Sequence, residues 1–442
     1  MRSEKLTCLP ERQGFIVRSA PALVSLDYAA VCVALPKISQ QLSLTSQQTP
    51  AVLAAYGLCF AAVSLTGGVL WDRTRPRQVF ITGMLTFLLA SVIGALACNG
   101  EWMIAARALQ GTGMALIRQA FNAGLTEREK KNRAPDTAVV TGLAAGLLLG
   151  VLLSLIDWRL IFMINLPAGW LICRYFGPAS PQERSSGLTF SAGALIACFA
   201  AGSFFLALTA FARTGQPDFI LNRITAVACL LFLFHEKWSP RPLFPRSLRN
   251  NTAFYIGWLG RLCYMGSAGS QWYLLVFYWQ QQRVSPGYSG GLFCLAVLLI
   301  ITGGQLYHRL SGRMRYTALL TGGFLFSAAG LFLAGNLCDR PLSVAFACGV
   351  CLSSLGQGML CPMLFSTRTR GIAEKMQEQT ATVMLICLCA GGAIVLAILN
   401  VMTAGARPTA DWQQAFHLTG GLAMAGCLVA FNTPSAEGSS RH

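Results

Sequence analysis

The chain has 442 residues, of which 54% are hydrophobic and only 12% are charged. Soluble domains carry about 25% charged residues, so a water-soluble core of this apolarity is excluded and the surplus must face lipid. The formal net charge of +17 forms no basic stripe or arginine-rich tail, which excludes a nucleic-acid partner. The basic residues sit in short loops between apolar runs, the pattern that orients polytopic membrane proteins.

A membrane span needs about 20 mostly apolar residues. On that measure the sequence predicts fourteen spans, six of them over 16–36, 51–71, 78–98, 102–124, 137–156 and 160–177. Two more follow over 188–210 and 219–236, and the last six over 252–279, 288–306, 316–336, 342–365, 379–402 and 413–431. Of the 34 Lys and Arg residues, 24 fall in one set of loops or at the span edges beside them, 7 in or beside the opposite set and 3 deeper within spans. The bias alternates loop by loop, which places both termini in the cytosol. Glu4 and Glu11 interrupt the basic N-terminus and no small-residue cleavage site follows. The first apolar run therefore reads as a retained span, not a signal peptide.

Two long connectors rich in Pro, Pro178–Gly187 and Lys237–Asn251, bracket the middle pair of spans. The expected organisation is a six-span half over 1–178, a two-span insert with its linkers over 179–251, and a second six-span half over 252–442. The basic loop Gly68–Arg77 has a counterpart, His308–Arg315, at the corresponding place in the second half. Paired six-span halves are a transporter architecture.

Asp27 is the only acid deep in a span. A charge at mid-bilayer depth costs at least about 2.5–3.5 kcal/mol and faces a cavity or a partner, and burial disfavours the charged form of a carboxyl group. Asp27 is thus a candidate proton carrier; the alternative is a carboxylate permanently paired with an intramembrane arginine. Arg107 lies about one turn into the fourth span, Arg118 near the cytosolic end of the same span, and Arg261 some nine residues inside the ninth. Snorkelling to an interface accounts for Arg118. Arg261, if it faces the interior, gives the cavity more positive than negative charge and suits neutral or anionic amphiphiles. In the same span Trp258 and Tyr264 are deep enough to stack on a ligand, whereas Tyr278 and Trp279 read as an interfacial aromatic belt.

The fifth span reads Gly142-Leu-Ala-Ala-Gly146-Leu-Leu-Leu-Gly150. Glycine costs a helix about 1 kcal/mol against alanine, but small residues four apart let two helix backbones approach closely. In the loop after the second span, Asp72 and Arg73 sit among further arginines at a helix end, where an acid can cap or pair across an interface.

Four stretches together resemble the fourteen-helix drug:proton antiporter branch of the major facilitator superfamily: Leu26–Pro36, Gly67–Gln78, Arg107–Leu116 and Asp157–Trp170. The resemblance implies an all-α membrane protein with two six-helix halves and an inserted hairpin. It implies that Gly68, Asp72, Arg73 and Arg77 form a cytosolic latch, that Asp27 and Arg107 (with Gln110, Gly111 and Gly113) couple to protons, and that Gly142, Gly146 and Gly150 belong to an antiport motif. Arg75 and Pro76 depart from the latch pattern. Leu147 and Val151 stand where the antiport motif has a proline and a further glycine. Gln119 and Ala296 likewise replace prolines common in the branch. Without its proline the fifth span is expected to be straighter.

No nucleotide-binding loop, metalloprotease motif or nucleophile elbow occurs, so neither an enzyme nor a cofactor beyond the proton gradient is expected. The scattered histidines and span-embedded cysteines give no metal site. The expected partners are the lipid bilayer, protons and a small-molecule substrate, the expected location is the plasma membrane (the inner membrane of a bacterium), and the expected state is a monomer. The expected function is proton-coupled export of amphiphilic small molecules. The alternatives are a transporter of one metabolite with weak or absent coupling, and a non-transporting relative.

Overall fold

A computed structural model describes residues 11–45, 48–70, 76–123, 137–175, 192–214, 216, 218–239, 252–284, 286–364, 380, 384, 391–392, 394–399, 401–402 and 409–432. Among them the regular structure is helical throughout. The helices are α1 (Glu11–Gln41), α2 (Gln48–Leu70), α3 (Pro76–Ala95), α4 (Gly100–Ala123), α5 (Thr137–Ile156), α6 (Arg159–Met163) and α7 (Asn165–Tyr175). There follow α8 (Ala192–Thr214), α9 (Phe219–Trp238), α10 (Thr252–Tyr264), α11 (Ser270–Gln281), α12 (Pro286–Leu310), α13 (Tyr316–Asn336), α14 (Val344–Leu364) and α15 (Thr409–Phe431). Each expected span contains helical residues. The sixth is broken by a turn at Ile164 into α6 and α7, and the ninth carries a π-helical turn, Met265–Gly269, between α10 and α11.

Large apolar side chains such as Leu85, Leu89, Leu155, Leu230 and Phe431 are exposed on the helix surfaces. In water such a surface would aggregate; in a bilayer it is the lipid contact that the composition requires. Asp218 caps α9, its Oδ1 accepting from the amides of Ile220 at 2.9 Å and Leu221 at 3.1 Å. An N-cap of this kind is worth about 1 kcal/mol.

Packing repeats between the two parts of the chain. α4 packs against α2 and α3, and α14 packs against α12 and α13 in the same way. The helix ends repeat as well. The Trp158 indole donates to Gln41 Oε1 at 2.6 Å, and the Trp412 indole donates to Gln281 Oε1 at 2.8 Å. Ser43 and Arg283, each two residues past those glutamines, both take a positive φ, 50° and 52°. α8 and α9 pack on each other, and Phe205 of α8 clusters with Ala54 of α2 and Ala397 of the thirteenth expected span. The hairpin therefore touches both parts.

One hydrophobic cluster runs through both parts. It joins Cys32, Leu35 and Ile38 of α1 to Trp272, Leu275 and Trp279 of α11 and Phe293 of α12. A Cβ built on Gly290 would lie 3.4 Å from the Val151 side chain, so α12 and α5 meet directly.

Candidate proton-coupling site

α5 fixes the position of α1. A Cβ on Gly142 would strike the Ala22 carbonyl oxygen, one on Gly146 the Leu26 carbonyl oxygen, and one on Gly150 would sit 2.7 Å from the Ala30 carbonyl oxygen. The three glycines are spaced four apart, and so are the three residues they receive. α5 remains an unbroken α-helix over 137–156, with Leu147 buried in the cluster. Lys37 of α1 donates its Nζ to the Ser154 carbonyl and, at 3.4 Å, to that of Ile156. A cation at a helix C-terminus favours the free carbonyls and the dipole there. The result is a rigid α1–α5 unit that carries Asp27.

Asp27 and Arg107 are both fully buried and form an ion pair of 2.7 Å between Oδ2 and Nη1. The same Nη1 donates to Gln110 Oε1 at 2.7 Å. Asp27 Oδ1 accepts from Asn165 Nδ2 at 2.8 Å and from Gln110 Nε2 at 3.4 Å. Ser91 receives Gln110 Nε2 at 2.9 Å and Asn165 Nδ2 at 3.3 Å, while donating to the Phe87 carbonyl. The Arg107 guanidinium lies 4.4 Å from the centre of the Tyr56 ring, a cation–π distance. Five helices thus converge on one charge pair: α1, α2, α3, α4 and α7. The turn at Ile164 is what brings Asn165 to the start of α7.

Removing two charges from water is costly unless geometry and further hydrogen bonds compensate. Here the carboxylate is well supplied with donors, but the arginine is short of acceptors. Arg107 Nε and Nη2, and Asn165 Oδ1, are buried without a hydrogen-bond partner. The cluster therefore has spare donor capacity on the cation and one spare acceptor beside the carboxylate.

Asp27 and Arg107, grouped in the sequence as the proton-coupling residues, meet in space, and Gln110 of the Arg107 motif bridges them. Asn165 and Ser91 were not singled out; the only signal was a lone amide in an apolar run for the first and none for the second. Arg261 is buried, with Nη1 donating to the Gly257 carbonyl at 3.1 Å, and does not join the Asp27 cluster. Trp258 is half-buried, its indole nitrogen without a hydrogen-bond partner, and Tyr264 is buried against Cys361. Arg118 is half-buried with its guanidinium 5.8 Å from the Phe60 ring centre. Gln119 donates to the Val63 carbonyl at 2.7 Å, tying α4 to α2. Asp72 and Arg73 lie outside the described residues; Gly68 and Arg77 fall at the adjoining ends of α2 and α3.

One expectation is corrected. Tyr278 and Trp279 are not an interfacial belt: both are buried. The Tyr278 hydroxyl donates to the Cys338 carbonyl at 2.5 Å, and Trp279 packs edge-on against Phe293 with ring centres 5.1 Å apart. Nearness to a span end gives depth but not direction, and this side of α11 faces other helices.

The comparisons agree with this architecture. The sequence pattern of the Major Facilitator Superfamily matches residues 20–396. The chain is 29% identical over 419 residues to the puromycin resistance protein of Streptomyces alboniger, covering 88% of this chain and 81% of that protein. It is 30% identical over 316 residues to a methylenomycin A resistance protein of Bacillus subtilis, covering 67% of each. Among solved structures, a mutant of the peptide transporter POT in complex with sulfate superposes with a TM-score of 0.66 at 14% identity, covering 94% of this chain and 93% of that one. This chain belongs to the Major Facilitator Superfamily and is a multi-pass membrane transporter.

Proposed function

We propose that the protein exports amphiphilic small molecules in exchange for protons, by alternating access between two six-helix halves (1–178 and 252–442) flanking the inserted hairpin (179–251). The observation that carries the reading is the fully buried Asp27–Arg107 pair with its unused donors and acceptor. A proton arriving on Asp27 cancels its charge and releases Arg107. The new O–H needs an acceptor, and Asn165 Oδ1 is unoccupied beside it. A rotation of the Asn165 amide converts a donor to the carboxylate into an acceptor from the carboxylic acid. Arg107, through Nε and Nη2, is then free to take a substrate oxygen or a second anion. Gln110 and Ser91 hold the geometry in both states.

The α1–α5 glycine contact transmits the change, because α1 cannot shift at Asp27 without moving α5. The cluster that joins the two parts lies at the ends of α1, α5, α11 and α12, which face outside in the proposed orientation. That arrangement supports a state closed to the outside, with both termini cytosolic in a plasma membrane. Gly68, Asp72, Arg73 and Arg77 form the latch on the opposite side. The printed names of the relatives, resistance to puromycin and to methylenomycin A, support an antibiotic-like amphiphile as cargo. The test is puromycin accumulation in inverted vesicles from an exporter-deleted host, with and without a protonophore. Accumulation that requires this chain and collapses with the protonophore supports the reading; accumulation that ignores the protonophore contradicts it.

A further inference from the structure

The second part of the chain repeats the frame of the proton-coupling site without its charges. Arg107-x-x-Gln110-Gly111 on α4 is matched by Ser354-x-x-Gln357-Gly358 on α14. The glycine serves the same purpose in both. A Cβ on Gly111 would strike the Tyr56 carbonyl oxygen of α2, and a Cβ on Gly358 would strike the Ile300 carbonyl oxygen of α12. The Gln41–Trp158 and Gln281–Trp412 bonds mark the same repeat at the helix ends.

Within that frame Gln357 Nε2 donates to Gln271 Oε1 at 2.5 Å, and Gln271 Nε2 donates to Ser354 Oγ at 3.4 Å. Gln271, Ser354 and Gln357 are all at most 1% exposed. Gln357 Oε1 and the hydroxyl of the neighbouring Ser270 are buried with no hydrogen-bond partner. A buried polar group left unsatisfied is destabilising, so apolar residues would serve packing better. A second feature marks the place. Ser270 and Gln271 directly follow the π-helical turn Met265–Gly269, and such turns occur often at functional sites. α11 packs on α1, so the cluster belongs to the seam between the two parts. Cys32, five residues after Asp27, and Tyr273 of α11 belong to one buried cluster.

We infer that Gln271, Ser354 and Gln357 form a neutral hydrogen-bonding subsite that takes an uncharged amide, carbonyl or hydroxyl group of the cargo. The charged cluster handles the proton and the neutral one reads the cargo. The inference rests on the export reading for its transport context, but its test reads binding alone. The protein is purified in detergent with no gradient, and affinity is measured for two amphiphiles. Puromycin carries amide and hydroxyl groups; tetraphenylphosphonium carries no hydrogen-bonding group.

Gln357→Leu is expected to weaken puromycin binding about tenfold and to change tetraphenylphosphonium binding less than twofold. Ser354→Ala removes the longer contact, with only the local bond from its hydroxyl to the Val350 carbonyl lost beside it; it guards against misfolding and is expected to act in the same direction more weakly. Equal loss for both probes, no loss for either, or a wild type that binds neither probe overturns the subsite. Selective binding without gradient-driven accumulation in vesicles leaves the subsite standing and contradicts the export reading instead.

Discussion

Asp27 and Arg107 stand 80 residues apart in the chain and 2.7 Å apart in space, both shut away from solvent. Breaking a buried pair by removing one partner costs about 3–5 kcal/mol, because the other charge is left uncompensated. Arg107→Ala is therefore expected to lower the melting temperature and abolish gradient-driven export. Asp27→Asn combined with Arg107→Ala is expected to recover much of the stability and none of the coupling. Thermal unfolding in detergent and vesicle transport separate the two effects; a double variant no more stable than Arg107→Ala contradicts the pairing argument.

The glycine stripe gives a second prediction. Alanine at 146 would gain about 1 kcal/mol of helix propensity, yet its Cβ meets the Leu26 carbonyl. Overpacking costs about 1–3 kcal/mol, and here the obstacle is backbone next to Asp27. Gly146→Ala is expected to lower stability by up to roughly 2 kcal/mol and to reduce export more than binding. A variant that is more stable and fully active would show that α1 and α5 do not need this contact.

Arg261 is buried in the second part of the chain. Among the described residues of the two six-span parts, the buried charged groups are Asp27, Arg107 and Arg261. Among the described residues that makes one acid and two bases. Arg261→Ala is expected to reduce export of an anionic dye at least fivefold while leaving or improving export of a cationic one. Equal export of both dyes by wild type and variant sinks the charge argument.

Topology has a direct chemical readout. Cys98 is exposed in the turn between α3 and α4, at an end the loop charges place outside. Cys338, in the turn between α13 and α14, is buried, and burial with the Asp339 carboxylate nearby pushes its thiol up to about 12. The thiolate is the reactive form, and a raised pKa keeps Cys338 protonated until the pH approaches that value. A membrane-impermeant maleimide at pH 7.5 is expected to label intact cells whose protein retains Cys98 alone. It should spare those that retain Cys338 alone. Labelling of Cys98 only after the membrane is opened would invert the assigned orientation.

Much of this was legible before any coordinates. Apolar length and loop charge located the spans. The cost of an intramembrane charge singled out Asp27, and the spacing of Gly142, Gly146 and Gly150 announced a close helix contact. The partner of that contact was not legible: nothing in Ala22, Leu26 or Ala30 marks them as the receiving face. Asn165 was hidden because its reach depends on the turn at Ile164. Tyr278 and Trp279 were misplaced because the inner face of α11 and the membrane interface meet at the same helix end. The π-helical turn left only a run of small residues, Met265-Gly-Ser-Ala-Gly269, as its trace. The neutral repeat around Gln357 stayed silent because Ser-x-x-Gln-Gly gains meaning only beside Arg-x-x-Gln-Gly in a shared frame.

The central claim is that Asp27 carries the proton that drives export. The most direct measurement is puromycin transport in proteoliposomes with an imposed pH gradient, comparing wild type with Asp27→Asn. Wild type is expected to concentrate puromycin against its gradient in the direction set by the protons. Asp27→Asn should retain puromycin exchange and lose all gradient-driven accumulation. Accumulation by Asp27→Asn equal to wild type, or wild-type transport indifferent to the pH gradient, would contradict it.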